Sequence, residues 1–505
     1  MPCSPADAAT AAFTTVRVVS MPDLDLLRRL WASSLGTDRA DEHYFLAGGT
    51  SITAAVLIAR VNREFGASVR LGDFLRAPSL ANLYELASSG SVAATASPVA
   101  SAGRPSQNQL FRLDAMYRDE ELARARGISP VQGLVTMWLE HDGPVDRLRL
   151  RSALRTVAAR HTVLRSQFTL ANGEWQVTVA PDADPELVEG VTEDWLQTLF
   201  PLDGGCWLRA AVLDGGSEST RIAVITDHLV WDGFSAAVVR DELWSAYVGI
   251  TLAPVPDYYT WVAEVDATWN GPRGAELAAG WRAALASTTL FPPFPFEAAA
   301  PDGADRHARV DLGDVDALTR RAAALGATGA GYVLALWFSA LLDVAGQVDG
   351  TVVHLPVANR DDRTARSIGW FANVMAVPYT RADHRLTPAE RVRAVSARVF
   401  FAVVHADLPL HTVVPDLDPL TPTRSPRVFA SIDLDAGPPI VGGFRPVEMD
   451  PPRTTVGGIH LAVGVRGDRV VADLVADPRH VTRDQLFSVT GRLAELAADE
   501  NWTGQ

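Results

Sequence analysis

Two short stretches of this chain carry side chains able to do chemistry. In FLAGGTS, residues 45–51, a pair of glycines and two hydroxyls precede an amphipathic pattern, which sets Ser51 at the start of a helix. A serine there commonly just accepts an orphan backbone N–H. The same helix end offers free N–H groups and a positive dipole. In DHLVWDG, residues 227–233, an imidazole and two carboxylates share a tight loop between the strand-like RIAVIT and the helix-like FSAAVVRDELW. Such a loop can aim His228 into a cleft as a proton acceptor. It can equally hold a buried histidine on a backbone partner, with Asp232 in a local salt bridge.

Both stretches depend on the elements around them. Leu24, Leu27, Leu30 and Trp31 recur at helical spacing, with Leu35 one turn on and Gly36 as the stop. A second helix is expected from Ser51 through Ile52, Ala55, Val56, Ala59 and Phe65 to Gly66, and a short third one near Leu80 to Leu86. Residues 15–88 thus read as a small all-helical bundle with one long connection between its first two main helices. Residues 89–105, small and proline-bearing without periodic apolar positions, have the chemistry of a linker. Beyond them, β-rich apolar runs (221–226, 351–357) alternate with helical ones (235–247, 315–325), a mixed α/β pattern. The proline-rich FPPFPFEAAAPDGAD at 291–305 divides this region into halves, 106–290 and 291–500.

At 505 residues the chain is expected to fold as about three packing units, and its 48% apolar content, with 13 Trp and 18 Phe, suffices to fill their cores. Acidic residues outnumber Lys and Arg by 60 to 45 and no long basic run tracks phosphates, which argues against nucleic acid as a partner. Cys3 and Cys206 provide neither a disulfide framework nor a CxxC metal pattern, so no metal is expected and a reducing, cytoplasmic setting fits. The first residues lack a basic and apolar leader, and no stretch of about 18 apolar residues follows, so no membrane association is expected.

The first unit, with its Trp-bearing helix, the lead-in Tyr44-Phe45-Leu46, the paired glycines before Ser51 and the later LGDFL and Pro78-Ser79-Leu80, resembles a peptidyl carrier protein. The resemblance implies an all-α four-helix carrier bundle with 4′-phosphopantetheine esterified to Ser51. The larger region presents five motifs in order: RHTVLRSQF (160–168), DHLVWDGFS (227–235), PDYYTW (256–261), IGWFANVMAVP (368–378) and SPRVFASIDLD (425–435). It resembles the condensation domain of non-ribosomal peptide synthetases. That resemblance implies an α/β, two-lobed, chloramphenicol-acetyltransferase-like domain with a tunnel between its lobes, open to a donor carrier on one side and an acceptor on the other.

The family signature is HHxxxDG, and Asp227 stands where its first histidine belongs. His228 keeps the second, the residue that the family places beside the attacking amine and the thioester; it can take a proton, or hydrogen-bond the amine or the tetrahedral intermediate. Asp227 either replaces a structural hydrogen bond or orients His228 and raises its basicity. By the same resemblance Asp232 holds the loop through a salt bridge, with Arg360 of PVANR as its partner, and Gly233 serves backbone geometry.

The expected function is therefore transfer of an acyl or aminoacyl thioester from Ser51 to an amine, forming an amide. Residues 227–235 also fit DxxxxDxxS, the signature of heterocyclising relatives, but the retained His228, Gly233 and IGWFAN favour condensation. Ester formation and a non-catalytic recruitment role are the other readings. With no adenylation region and no GxSxG elbow in the sequence, loading is expected from an adenylation or other acyl-loading enzyme in trans, after priming by a phosphopantetheinyl transferase. The acceptor is expected to be another carrier protein or a free soluble amine. Met1 and the short polar end ENWTGQ read as the ends of a natural two-domain chain.

Overall fold

The computed structural model describes residues 23–35, 43–44, 47, 49, 51–65, 67, 69, 71–88, 102–115, 133–214, 218–286, 293–296, 306–345, 348–414, 425–434, 442–447, 457–499 and 501–503. Cys3, Gly48, Thr50, the side chain of Ser51 and residues 89–101 of the expected linker lie outside them.

Four helices come first: α1 (Leu24–Leu35), α2 (Ser51–Phe65), α3 (Leu71–Arg76) and α4 (Leu80–Ser88). Leu27 and Trp31, one turn apart on α1, are buried against Tyr44, Leu57, Val61, Phe74 and Leu83. Trp31, Tyr44 and Phe74 meet edge to face, with Trp31 and Tyr44 centroids 4.9 Å apart.

The remainder is built on three sheets. Its first half contains β1 (Ala102–Gly103), α5 (Gln107–Leu113), β2 (Leu134–Asp142), α6 (Arg147–Arg160), β3 (Ser166–Ala171), β4 (Glu174–Val179), β5 (Glu186–Glu189), α7 (Glu193–Gln197), β6 (Arg209–Asp214), β7 (Ser219–Asp227), α8 (Ser235–Tyr247), α9 (Tyr258–Trp269) and α10 (Pro272–Ala284). The second half contains β8 (Arg306–Asp314), α11 (Val315–Ala324), α12 (Gly329–Ala345), β9 (Gly350–Val357), β10 (Asn373–Thr380), α13 (Arg381–His384), α14 (Pro388–Val404), β11 (Arg427–Ile432), β12 (Arg445–Pro446), β13 (Gly458–Arg466), β14 (Arg469–Ala476) and α15 (Arg483–Ala498).

The sheet orders are β1-β4-β3, β12-β2-β7-β6-β5 and β10-β9-β11-β13-β14-β8. Local sequence explains the elements. Asp146 caps α6 by accepting from Leu148 and Arg149 N–H, and Leu150, Ala153, Leu154, Val157 and Ala158 then form one buried face. Thr387 and Glu390 make a reciprocal capping box at the start of α14, with Pro388 at its first turn. α12 is buried from Gly331 to Leu342 and fills the core of the second lobe. No single helix among the described residues is long and apolar enough to cross a membrane.

Two details correct the boundaries read from the sequence. Ala102 and Gly103, assigned to the linker, pair with Thr178 and Val177 of β4. Arg445 and Pro446, assigned to the second lobe, pair with Glu140 and Leu139 of β2 and add an edge strand to the first. The carrier bundle rests on the second lobe: Val404 at the end of α14 belongs to its apolar cluster, with Phe400 and Val403 alongside, and Asn62 Nδ2 donates to Asp362 at 3.2 Å.

A buried ion pair joins the lobes, with Arg360 Nη2 2.7 Å from Asp232 Oδ1 and both side chains under a tenth exposed. Removing one partner leaves a buried charge uncompensated, so Arg360→Met is expected to cost about 3–5 kcal/mol and lower the thermal midpoint. Arg155→Met, which breaks an exposed pair with Asp184, should leave that midpoint unchanged in the same calorimetric scan.

Candidate active site

β7 runs its full length against β2 and ends at Asp227. The chain then makes a 3₁₀ turn, His228–Val230, before α8 begins at Ser235. Leu229 and Val230, which follow His228, are fully buried and anchor the loop, whereas His228 is only partly buried. His228 Nδ1 lies 3.2 Å from the carbonyl of Trp231. A carbonyl only accepts, so Nδ1 carries the proton and Nε2 of the neutral ring keeps its lone pair. The indole of Trp370, from the opposite lobe, lies 6.3 Å from the imidazole. Burial pushes His228 below the ordinary imidazole value, and Arg112 pushes the same way against Asp227, the Trp231 carbonyl and Asp232.

Asp232 makes no approach to that ring. Its Oδ1 accepts from Ser235 N at 2.9 Å, Ser235 Oγ at 2.9 Å and Arg360 Nη2 at 2.7 Å, and its Oδ2 accepts from Phe371 N at 3.0 Å and Ala372 N at 3.1 Å. Arg360 is fixed in turn: Nη1 donates to Thr364 and Ser367 carbonyls, and its guanidinium lies 4.3 Å above the Phe371 ring. The two residues that the resemblance pairs are thus in contact.

Gly233 requires a correction. It is exposed, its φ lies outside the left-handed region, and a Cβ would meet nothing within 4 Å. Neither backbone strain nor crowding in this structure demands a glycine there.

The other motifs supply the frame. His161 Nε2 lies 2.7 Å from Glu242, and its Nδ1 accepts the backbone N–H of Ile368, so this histidine ties α6, α8 and the IGWF segment together. Tyr258 OH donates to the carbonyl of Trp370 at 3.0 Å. Arg112, Gln109 and Asn108 on α5 were not singled out by sequence reasoning, yet Arg112 pairs with Asp227 and Asn108 Nδ2 donates to Asn373 Oδ1 at 2.8 Å. The legible signal was the Ser106-x-x-Gln109 capping box, which the structure forms. A cavity of about 260 Å³, lined by Phe111, Trp175 and His411, lies against the other face of α5 and does not include His228. Burial pushes the Cys206 thiol up to about 11, which disfavours its thiolate. Among the described residues, no cluster of His, Cys, Asp and Glu is arranged to hold a metal ion.

On the carrier, Ser51 is the first residue of the fifteen-residue α2. A Cβ at Gly49 would fall 2.2 Å from the Tyr44 ring, and Gly49 N–H donates to the Tyr44 carbonyl at 3.0 Å, so a bare backbone is packed directly before the helix start. A hydroxyl at the N-terminus of a long helix, behind a close-packed glycine, fits a phosphodiester attachment point.

The family models match in the same order. The phosphopantetheine attachment site covers residues 25–87 and the condensation domain covers residues 134–432. Malpinin synthetase of Mortierella alpina is 26% identical over 78% of this chain and 5% of its own length. Phosphinothricin tripeptide synthetase PhsB of Streptomyces viridochromogenes is 27% identical over 81% of this chain and 37% of its own. The chain thus spans between a twentieth and about a third of these relatives. The first condensation domain of the calcium-dependent antibiotic synthetase superposes with a TM-score of 0.59 at 20% identity, over 79% of this chain and 96% of that one. A matched domain that fills most of the chain, preceded by an attachment domain and set among synthetase relatives, places this protein in the condensation-domain family of the non-ribosomal peptide synthetases, with a phosphopantetheine carrier fused ahead of it.

Proposed function

We propose that this chain holds an acyl or aminoacyl group as a thioester on its own carrier and transfers it to an amine, forming an amide, with His228 handling the acceptor's proton. The observation that carries the proposal is the contact of His228 Nδ1 with the Trp231 carbonyl, which commits Nδ1–H and leaves the lone pair of the neutral ring on Nε2. 4′-Phosphopantetheine, held by the Ser51 oxygen at the start of α2, supplies a thioester, an acyl donor activated toward amines.

The chain's own residues do the rest. An acceptor arrives as an ammonium ion and must lose a proton before its lone pair can attack. His228 is neutral near pH 7, because burial and Arg112 hold its proton affinity down, and Nε2 takes that proton. The Nδ1–H···O bond keeps the ring from turning, and Trp370 stands beside it from the other lobe. Asp232 and Arg360 neutralise each other and set the loop against residues 369–372 without touching the reacting atoms.

This arrangement speaks against heterocyclisation through DxxxxDxxS. Both oxygens of Asp227 are engaged by Leu229 N–H and Arg112, Asp232 is saturated, and Ser235 Oγ donates to Asp232. None of the three presents a free group for dehydration. The cyclised product would be lighter than the linear amide by one water, which mass spectrometry reads directly.

The functional units are proposed as a carrier within 15–88 and two lobes within 106–290 and 291–500, apart from the strand exchanges described above. A phosphopantetheinyl transferase and an adenylation or other acyl-loading enzyme acting in trans complete the donor side, and an acceptor carrier or free amine completes the other.

Incubation with a phosphopantetheinyl transferase and coenzyme A should add one phosphopantetheinyl group to the intact protein, and Ser51→Ala should abolish the gain. His228→Ala should reduce transfer from the loaded arm by about 10²–10⁴-fold without changing loading; unchanged transfer would remove the proton-handling role. In the wild type, transfer should fall on acidification with a midpoint below the ordinary imidazole value of 6.5, as His228 gains its proton.

A further inference from the structure

We propose that Arg112 is a positioning residue for the transfer reaction, acting through Asp227 as one half of a couple that replaces the first histidine of the family signature. The proposal rests on the reading that His228 performs the transfer, and adds how this chain keeps that ring in place and in its working state.

Asp227 is the cap of the turn that carries His228. Its Oδ1 accepts from Leu229 N–H at 2.7 Å and from Arg112 Nε at 3.2 Å, while Oδ2 accepts from Arg112 Nη2 at 3.1 Å. The side chains of Asp227 and Arg112 are 2% and 10% exposed, so this forked pair is out of water. One turn back on α5, Gln109 Nε2 donates to the carbonyl of Leu229 at 2.8 Å. α5 therefore grips the turn through the carboxylate of the residue before His228 and the carbonyl of the residue after it. Gln109 is itself fixed, since its Oε1 accepts from Ser106 N–H in the capping box.

The space for this arrangement is built in. An added Cβ on Gly133 would fall 1.3 Å from Arg112 Nη2, so any residue but glycine would displace the guanidinium. Gly133 immediately precedes β2, whose Leu134 pairs with Asp227. The arginine, the aspartate and the glycine thus come from three segments and meet at the start of the turn that carries the imidazole.

Charge makes the couple interdependent. A histidine at 227 would leave the guanidinium buried without its carboxylate, and a neutral residue at 112 would leave the carboxylate buried without its cation, each a costly state. The charged groups facing His228 are Arg112 from α5 and Asp227 and Asp232 from its own loop, with Arg360 of the other lobe already paired to Asp232 and the uncharged Trp370 ring completing the surround. Removing Arg112 alone tips that balance toward negative charge and makes the ring hold its proton more tightly. Removing the charge of Asp227 alone does the reverse.

The test uses the full-length, phosphopantetheinylated protein with two readouts: the rate of transfer, and the titration of His228 followed by NMR of ¹³C-labelled histidine, assigned by the signal lost in His228→Ala. Asp227→His, although it restores the family signature, is expected to slow transfer by at least tenfold. Arg112→Met combined with Asp227→His is expected to recover most of that loss. Arg112→Met should move the His228 titration up by about one pH unit and Asp227→Asn should move it down by a similar amount, while Arg112→Lys keeps the charge and leaves it near the wild-type value. A wild-type rate in Asp227→His, independent multiplying losses in the double variant, or titrations that shift the same way in Arg112→Met and Asp227→Asn would each overturn the proposal. Because the titration is read without turnover, a failure of the His228 transfer reading leaves it measurable and separable.

Discussion

Asp232 is a carboxylate buried where an unpaired charge would cost several kcal/mol, and the structure compensates it with donors from both lobes: Ser235 from the first, and Arg360 and the Phe371 and Ala372 N–H groups from the second. That single group fixes the distance between the loop bearing His228 and the segment bearing Trp370. Both oxygens of Asp232 are taken up by these donors, so the pairing positions the loop and reaches the imidazole only through its charge. Its consequence is that neither lobe can move away from this pair without leaving a buried charge uncompensated.

The second constraint concerns protons. An imidazole deep enough to be shielded loses basicity through desolvation, whereas one left in water is disordered; His228 sits between these limits, partly covered, with Nδ1–H on the Trp231 carbonyl. Two carboxylates nearby would ordinarily raise its proton affinity. One is neutralised by Arg360 and the other by Arg112, so two ion pairs flank a neutral ring. A site with this many charges can therefore hold the imidazole unprotonated near neutral pH.

Much of this was legible in the residues, but unevenly. The α2 start at Ser51 and the α1 stripe of Leu27 and Trp31 follow from periodicity and punctuation, which act over a few residues. The Asp232–Arg360 contact spans 128 residues and was reached only because ordered motifs placed both in a known arrangement. Arg112 carries no such mark. It is one arginine on a seven-residue helix, 115 residues from Asp227, and nothing local shows which carboxylate it will meet. Gly233 misled in the opposite direction, because a glycine in a motif suggests backbone necessity and this one has open space around it. The exchange of β12 into the first lobe was invisible for the reason that sheets are hard to read: two residues pair with a strand 305 positions away, as Arg445 does with Glu140.

The connection between β9 and β10 draws these threads together. Within residues 358–372 it supplies Arg360 to the Asp232 carboxylate, Asp362 to Asn62 of the carrier, the Trp370 ring beside His228, and the two N–H groups that close the Asp232 cage. The next residue, Asn373, accepts from Asn108 on α5, the helix that also holds the turn bearing His228 through Gln109 and Arg112. The carrier contact, the anchor of the His228 loop and the ring beside His228 therefore share one short stretch of backbone. Asp362, which accepts from Asn62 of the carrier, stands two residues along the backbone from Arg360, which pairs with Asp232, so the carrier contact and the anchor of the His228 loop are neighbours in the covalent chain.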